Sequence, residues 1–406
     1  MRKVYLSVIG FAFICRLNSY AQTTQDTTRK PAFSLYTPVE QAPGSDYKLR
    51  ALHIDEINLV SSYYLQNGDH SPITGGIGTE HVTDLSNGLD LKLAWQADEL
   101  HKNSLTFGFG YDHHTSASAS YVALLGGSNT GGTRIYPSLD WTRENTKTGE
   151  TFGIGAYYSG EYNYKSKGLD VHWSAKTPDK NGEFSVKLQA YLDQVTLIYP
   201  SDVHVLPTPT VVATGPTYIT TASGNVVLSN GGSISKPSLP TSPRNTYTAS
   251  FGYSQIINSR LQVMFLADAV TQNGYLGLPF HRVYFNTGKD TVEKLPSSRF
   301  KIPVGFRANY FLGDNIILRS YYRYYSQSAA KYFAPYGVHS PDEEYYTSNY
   351  EYAQFQSGFY GVGFRFAPPK GVFGWQSLHE LEIRYGHYTQ TTGLAADVLS
   401  LSLGFK

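Results

Sequence analysis

Alternation with a period of two recurs from about residue 50 to the end of this chain, and it limits the possible folds more than any other feature. Leu89, Leu91, Leu93 and Trp95 alternate with Asp90, Lys92, Ala94 and Gln96. Leu105, Phe107, Phe109 and Tyr111 alternate with Thr106, Gly108, Gly110 and Asp112, and Leu399, Leu401, Leu403 and Phe405 alternate with Ser400, Ser402, Gly404 and Lys406. Successive strand side chains point to opposite faces, so each segment has one apolar face and one face of small, polar and charged residues. A charge at the bilayer midplane costs about 2–4 kcal/mol, which turns the apolar face to lipid and the other face inward. After the first fifteen residues no apolar run reaches the ~20 residues of a spanning helix, so a chain of this kind crosses a membrane only as a closed barrel.

The fold expected is therefore all-β: a transmembrane, antiparallel, up-and-down β-barrel of about fourteen strands. The strands begin near residues 50, 84, 103, 133, 150, 167, 182, 244, 259, 298, 314, 355, 377 and 396. Connection lengths give a second argument, because an even barrel has both ends of its chain on one side and alternates tight and long connections. Ala97–Lys102, Asn145–Glu150, Pro178–Gly182, Ile257–Arg260 and Leu312–Asn315 are tight. Asn67–Val82, Ser116–Gly132, Leu197–Pro243, Tyr275–Ser297 and Gln327–Gln354 are long, while Lys165–Lys167 and Gln390–Gly393 are short exceptions on the outward side. Long outward connections of this kind are either surface loops or lids over the mouth.

Arg2 and Lys3, the apolar run Val4–Cys15 and the small-residue site at Ala21 have the form of a secretory signal peptide over residues 1–21. Cys15 follows Phe13 and Ile14 and precedes Arg16, which excludes a lipidated cysteine. Residues 22–48, rich in Thr, Gln and Pro, form a flexible periplasmic lead-in, and 49–406 form the barrel. Cys15 is the one cysteine, so the exported chain has neither a disulfide nor a thiolate metal site. Losing Arg2, Lys3 and Arg16 takes the formal charge from +1 to −2, which gives nucleic acid nothing to bind. With 34 Tyr and 21 Phe against 2 Met, the aromatic content suits a protein with two membrane interfaces. These features predict a cell outer membrane location, with outer-membrane lipid and the barrel-assembly machinery as partners.

Two constellations bear on chemistry. Asp69, His70, Glu80, His81 and Asp84 surround the run Thr74–Thr79, and Asp112, His113 and His114 end a neighbouring strand. Asp69, His70, Glu80, His81, Asp112 and His114 are weak candidates for a divalent cation, the one cofactor the sequence leaves room for. Asp112 with His113 or His114 is also the pair a barrel hydrolase would use at its outer mouth. The glycine run lacks the Gly-Lys-Ser/Thr ending of a phosphate loop; its glycines instead permit tight turns that fold the connection inward. The second constellation is the lumen wall, where Arg319, Tyr321, Arg323 and Tyr325 share a face with Lys301 and Arg307. Inward arginines select anions, or they are neutralised by Glu380 and Glu382 across the barrel.

The segment Gly68–Glu80 resembles domain-of-unknown-function family 3570. So do Tyr111 with Thr115–Ser118, Leu278–Phe285, Leu295–Lys301, Tyr322–Phe333 and Arg384–Tyr388. The resemblance implies a secreted, envelope-located barrel with no established activity, substrate or catalytic residue. It also implies envelope systems that contain flavin-attaching and thioredoxin-like proteins, and hence a periplasmic envelope partner. In other members an extra hairpin is expected between two Tyr-Arg-Tyr-Tyr segments; one such segment stands here, which makes this chain two strands shorter. The expected function is a channel or transporter for a small solute, without enzymatic activity. The alternatives are a structural or docking component of an envelope complex and a barrel hydrolase.

Overall fold

The computed structural model describes residues 51–115, 132–161, 164–199, 218–220, 226–228, 239–313 and 315–406. The expected signal peptide and lead-in, residues 1–48, and most of the Ser116–Gly132 and Leu197–Pro243 connections lie outside these residues. Fourteen strands close into one antiparallel ring. They are β1 (His53–Asn67), β2 (Val82–Gln96), β3 (His101–His114), β4 (Gly132–Asn145), β5 (Thr151–Gly160), β6 (Tyr164–Lys176) and β7 (Gly182–Thr196). The second half is β8 (Thr241–Asn258), β9 (Leu261–Gly274), β10 (298–313), β11 (Ile316–Gln327), β12 (Phe355–Phe366), β13 (Leu378–Gln390) and β14 (Ala395–Phe405). Each strand pairs with the next in sequence, and β14 pairs back onto β1 from Ile57–Phe405 to Asn67–Ala395. Closure leaves the ring no free edge.

β10 is drawn in two pieces, Ser298–Lys301 and Val304–Gly313. Pro303 explains the break, since it has no N–H to give to the ladder. Its carbonyl still accepts from Asp268 N at 3.0 Å. The register is the same on both sides, with Val270 opposite Lys301 and Ala267 opposite Val304.

The alternation sorts side chains as predicted. Leu59, Phe109, Leu188, Phe251, Phe306, Tyr322 and Ile383 are exposed on the outer surface, while the residues between them point into the ring. On β14 Leu401 is 41% exposed and Ser402 only 5%. Across the closing seam the inward Ser62 Oγ donates to Ser400 Oγ at 2.7 Å.

Among the described residues, the buried apolar cluster sits at the outer mouth rather than in the barrel. It consists of Ile73, Val195, Leu278 and Phe280, with Tyr164, Ile198 and Tyr275 against it. Ile73 lies in the connection after β1, and Val195 lies on the inner face of β7, six strands away around the ring one way and eight the other. The chain therefore reaches across the mouth. The turn that starts this crossing is Pro72–Thr74, followed by Gly75, Gly76 and Gly78 at φ of 80°, 88° and 86°, a region that side chains disfavour.

Candidate functional site: the capped lumen

Among the described residues, the cap is built mainly by the connections after β1, β9 and β11. Glu293 is its hub. Its carboxylate accepts from Leu278 N and Thr347 Oγ1, both at 2.7 Å, and lies 2.9 Å from His281 Nδ1. Burial raises the Glu293 pKa, but His281, the Thr347 hydroxyl and the Leu278 N–H together outweigh burial and hold it below its ordinary value. Lys294 and Tyr346 exchange backbone hydrogen bonds of 2.9 and 3.0 Å, and His70 stacks on Tyr350 with ring centroids 3.7 Å apart. The cap is moored to the wall by long polar side chains. Arg244 Nη2 donates to the carbonyls of Leu276 and Gly277 at 2.8 and 3.0 Å, and Gln327 Nε2 to those of Glu351 and Ala353 at 2.8 and 2.7 Å.

Beneath the cap the lumen has two unlike walls. On the β2–β9 side a space is lined by both signs of charge, among them Lys92, Lys102, Asp140, Glu144 and Lys187. The β10–β13 side is cationic and aromatic, and it carries Lys301, Arg307, Arg319, Tyr321, Arg323, Tyr325, Glu380 and Glu382. Arg319 Nη1 lies 2.9 Å from each oxygen of Glu382, and Arg365 pairs with Glu380. Arg307 lies over the Tyr321 ring at 5.7 Å and Lys301 over the Tyr325 ring at 5.6 Å. Tyr321 leans on Phe359, and Arg323 is buried between the two tyrosines. Glu380 and Glu382 are not across the barrel from the arginines. They stand on β13, two strands from Arg319 along the same wall, with Gly363 of β12 opposite Arg319. A Cβ there would meet Arg384 Cγ at 2.9 Å and Glu382 Oε1 at 3.4 Å. The bare backbone lets side chains of β11 and β13 meet above it.

The Asp/His constellation divides. Asp69 and His81 are exposed, and His81 Nδ1 bonds the Asn67 side chain at 2.7 Å. His70 is stacked in the cap, where its N–H approaches Glu80 Oε2 at 3.3 Å. Asp112 and His113 point to opposite faces, so they form no pair; His113 bonds Thr133 Oγ1 on the exposed side. Asp112 and His114 do come together inside the barrel, joined by Asp84 and by Glu161. Glu161 was not a sequence candidate, because it follows a strand whose end has no distinct polar pattern.

No curated protein matches the chain. Its fold is similar to the deltaS2 mutant of the monoaromatic hydrocarbon channel TodX at 10% identity, covering 87% of this chain and 89% of that one with a TM-score of 0.43. It is similar to an outer membrane channel from Pseudomonas putida F1 at 9% identity, with 89% and 98% covered and a TM-score of 0.37. The translocator domain of the autotransporter NalP from Neisseria meningitidis has 8% identity, 87% and 88% coverage and a TM-score of 0.30. These likenesses concern barrel architecture alone. Residues 127–310, which include the Leu278–Phe285 and Leu295–Lys301 motifs, match the model of the family described as "Protein of unknown function (DUF3570)", in agreement with the resemblance seen in the sequence.

Proposed function

We propose that the protein is an outer-membrane channel or transporter for a small solute, preferring anions, whose outer mouth is closed by a movable cap. The observation that carries this reading is the joining of Ile73 to Val195 across the mouth of a ring with a polar interior. A barrel that served only to hold a partner would need neither a polar space nor a cover over it. The anion preference follows from the β10–β13 wall. Glu380 and Glu382 answer Arg365 and Arg319, while Arg307 rests on the Tyr321 ring. Inward cations of this kind favour anion entry. Of the two pairs a hydrolase would use, Asp112 and His113 face opposite ways, while Asp112 and His114 are both buried inside the barrel.

Planar-bilayer recordings of the refolded barrel in a salt gradient test the reading. Brief, anion-selective openings are expected, with longer openings in Leu278→Glu, which puts a charge into the apolar heart of the cap. Arg307→Gln should then reduce the anion preference. If both the natural protein and Leu278→Glu stay silent while fully folded, the passage reading fails and a docking role takes its place.

A further inference from the structure

We propose that the outer, lumen-facing corner formed by the ends of β2 to β5 binds one divalent transition-metal ion of the zinc type. Its ligands are Asp84, Asp112, His114 and Glu161. Asp84 lies opposite His114 in the β2–β3 register, and Asp112 is the next inward residue of β3. One ligand atom from each of these three lies within 4.8 Å of the other two. The edge of a tetrahedron with ~2 Å metal–ligand bonds is about 3.3 Å, so modest side-chain rotation closes the set around an ion. Glu161 completes it from the far side of β4, its Oε1 3.5 Å from His114 Nε2. Gly132 makes that approach possible: it sits opposite His114, and a Cβ on it would come within 2.5 Å of both His114 Nε2 and Glu161 Oε1.

Burial and charge point to a cation. Asp84, Asp112, His114 and Glu161 are 4%, 2%, 2% and 7% exposed. The cation seen among them is Arg134, whose Nε and Nη2 both lie 3.0 Å from Asp112 Oδ2. Asp84 Oδ1 and Glu161 Oε1 are buried and accept no hydrogen bond among the described residues. Three buried carboxyl groups gather here around one guanidinium, and a buried carboxylate is costly unless a cation pairs with it. The donor set decides the class of ion. Calcium prefers six to eight oxygen ligands, whereas one imidazole with two or three carboxylates suits zinc and its first-row neighbours.

The test is zinc titration by calorimetry of the chelator-stripped, refolded barrel, with His81→Gln as the background to remove an exposed histidine. One equivalent of zinc should bind, more tightly than calcium. Asp84→Asn, which keeps shape and removes charge, should weaken zinc binding at least tenfold while heat-dependent gel mobility stays that of a folded barrel. Cobalt offers a readout that needs no variant: the loaded protein should show the visible absorption of a low-coordinate ion with nitrogen and oxygen ligands. Absence of zinc binding, binding unchanged in Asp84→Asn, or calcium bound more tightly than zinc would each overturn the proposal. None of these outcomes depends on whether the barrel conducts.

Discussion

Glu382 holds Arg319 with both carboxylate oxygens at 2.9 Å although the two residues belong to β13 and β11, with β12 between them. The pair exists because Gly363 carries no side chain in the gap. Breaking a buried ion pair from one side costs about 3–5 kcal/mol, and the partial opening of Arg319 to the lumen puts this case near the lower end. Glu382→Gln should therefore lower the unfolding midpoint in denaturant and shift the reversal potential further toward anions. Gly363→Val should repeat part of both effects by driving Arg319 and Glu382 apart. The two faces of β14 give a second residue-scale prediction. Leu401→Arg sets a charge against lipid, a cost of up to about 2–4 kcal/mol, and should impair insertion, whereas Ser402→Arg faces the lumen and should be far milder. Equal yields of heat-modifiable barrel from both variants would contradict the face assignment. Which way a side chain faces was legible in the sequence, because a period of two decides it. Which charge it meets was not, because partners are set by strand register and by glycines that let a neighbour's neighbour approach.

Among the elements, all fourteen strands begin within three residues of the positions expected, since turn-forming residues and a switch of apolar face mark each end. The cap was legible only as an inward fold of the glycine run. Its hub joins Leu278, His281, Glu293 and Thr347, and no periodicity links residues so far apart in the chain. The hub also carries a pH prediction. Glu293 titrates below its ordinary value of 4.5 in the folded cap. A lowered carboxyl stabilises the fold fully above its ordinary value and loses that contribution as pH falls through the lowered one. Acidification from pH 7 to 5 should thus leave gating unchanged, and acidification toward 3 should lengthen the openings. Glu293→Gln should show long openings at every pH and lose most of the acid step.

The whole molecule is a ring whose seam is an ordinary strand pair, β14 on β1, with eleven residue pairs in register. Every strand therefore has two neighbours, and removing any one exposes two unpaired edges. Deleting residues 395–406 should abolish assembly altogether rather than yield a thirteen-strand barrel, with the product recovered as protease-sensitive aggregate. The even strand count and the alternation of tight and long connections were both readable beforehand, because both follow from keeping the turns on one side. The crossing from the β1 connection to β7 adds something that the ring alone lacks. A hoop of strands resists shear along its ladders but flattens easily under sideways load. A strut fixed at nearly opposite points of the rim fixes the diameter there, so the outer rim should stay round under lateral membrane pressure.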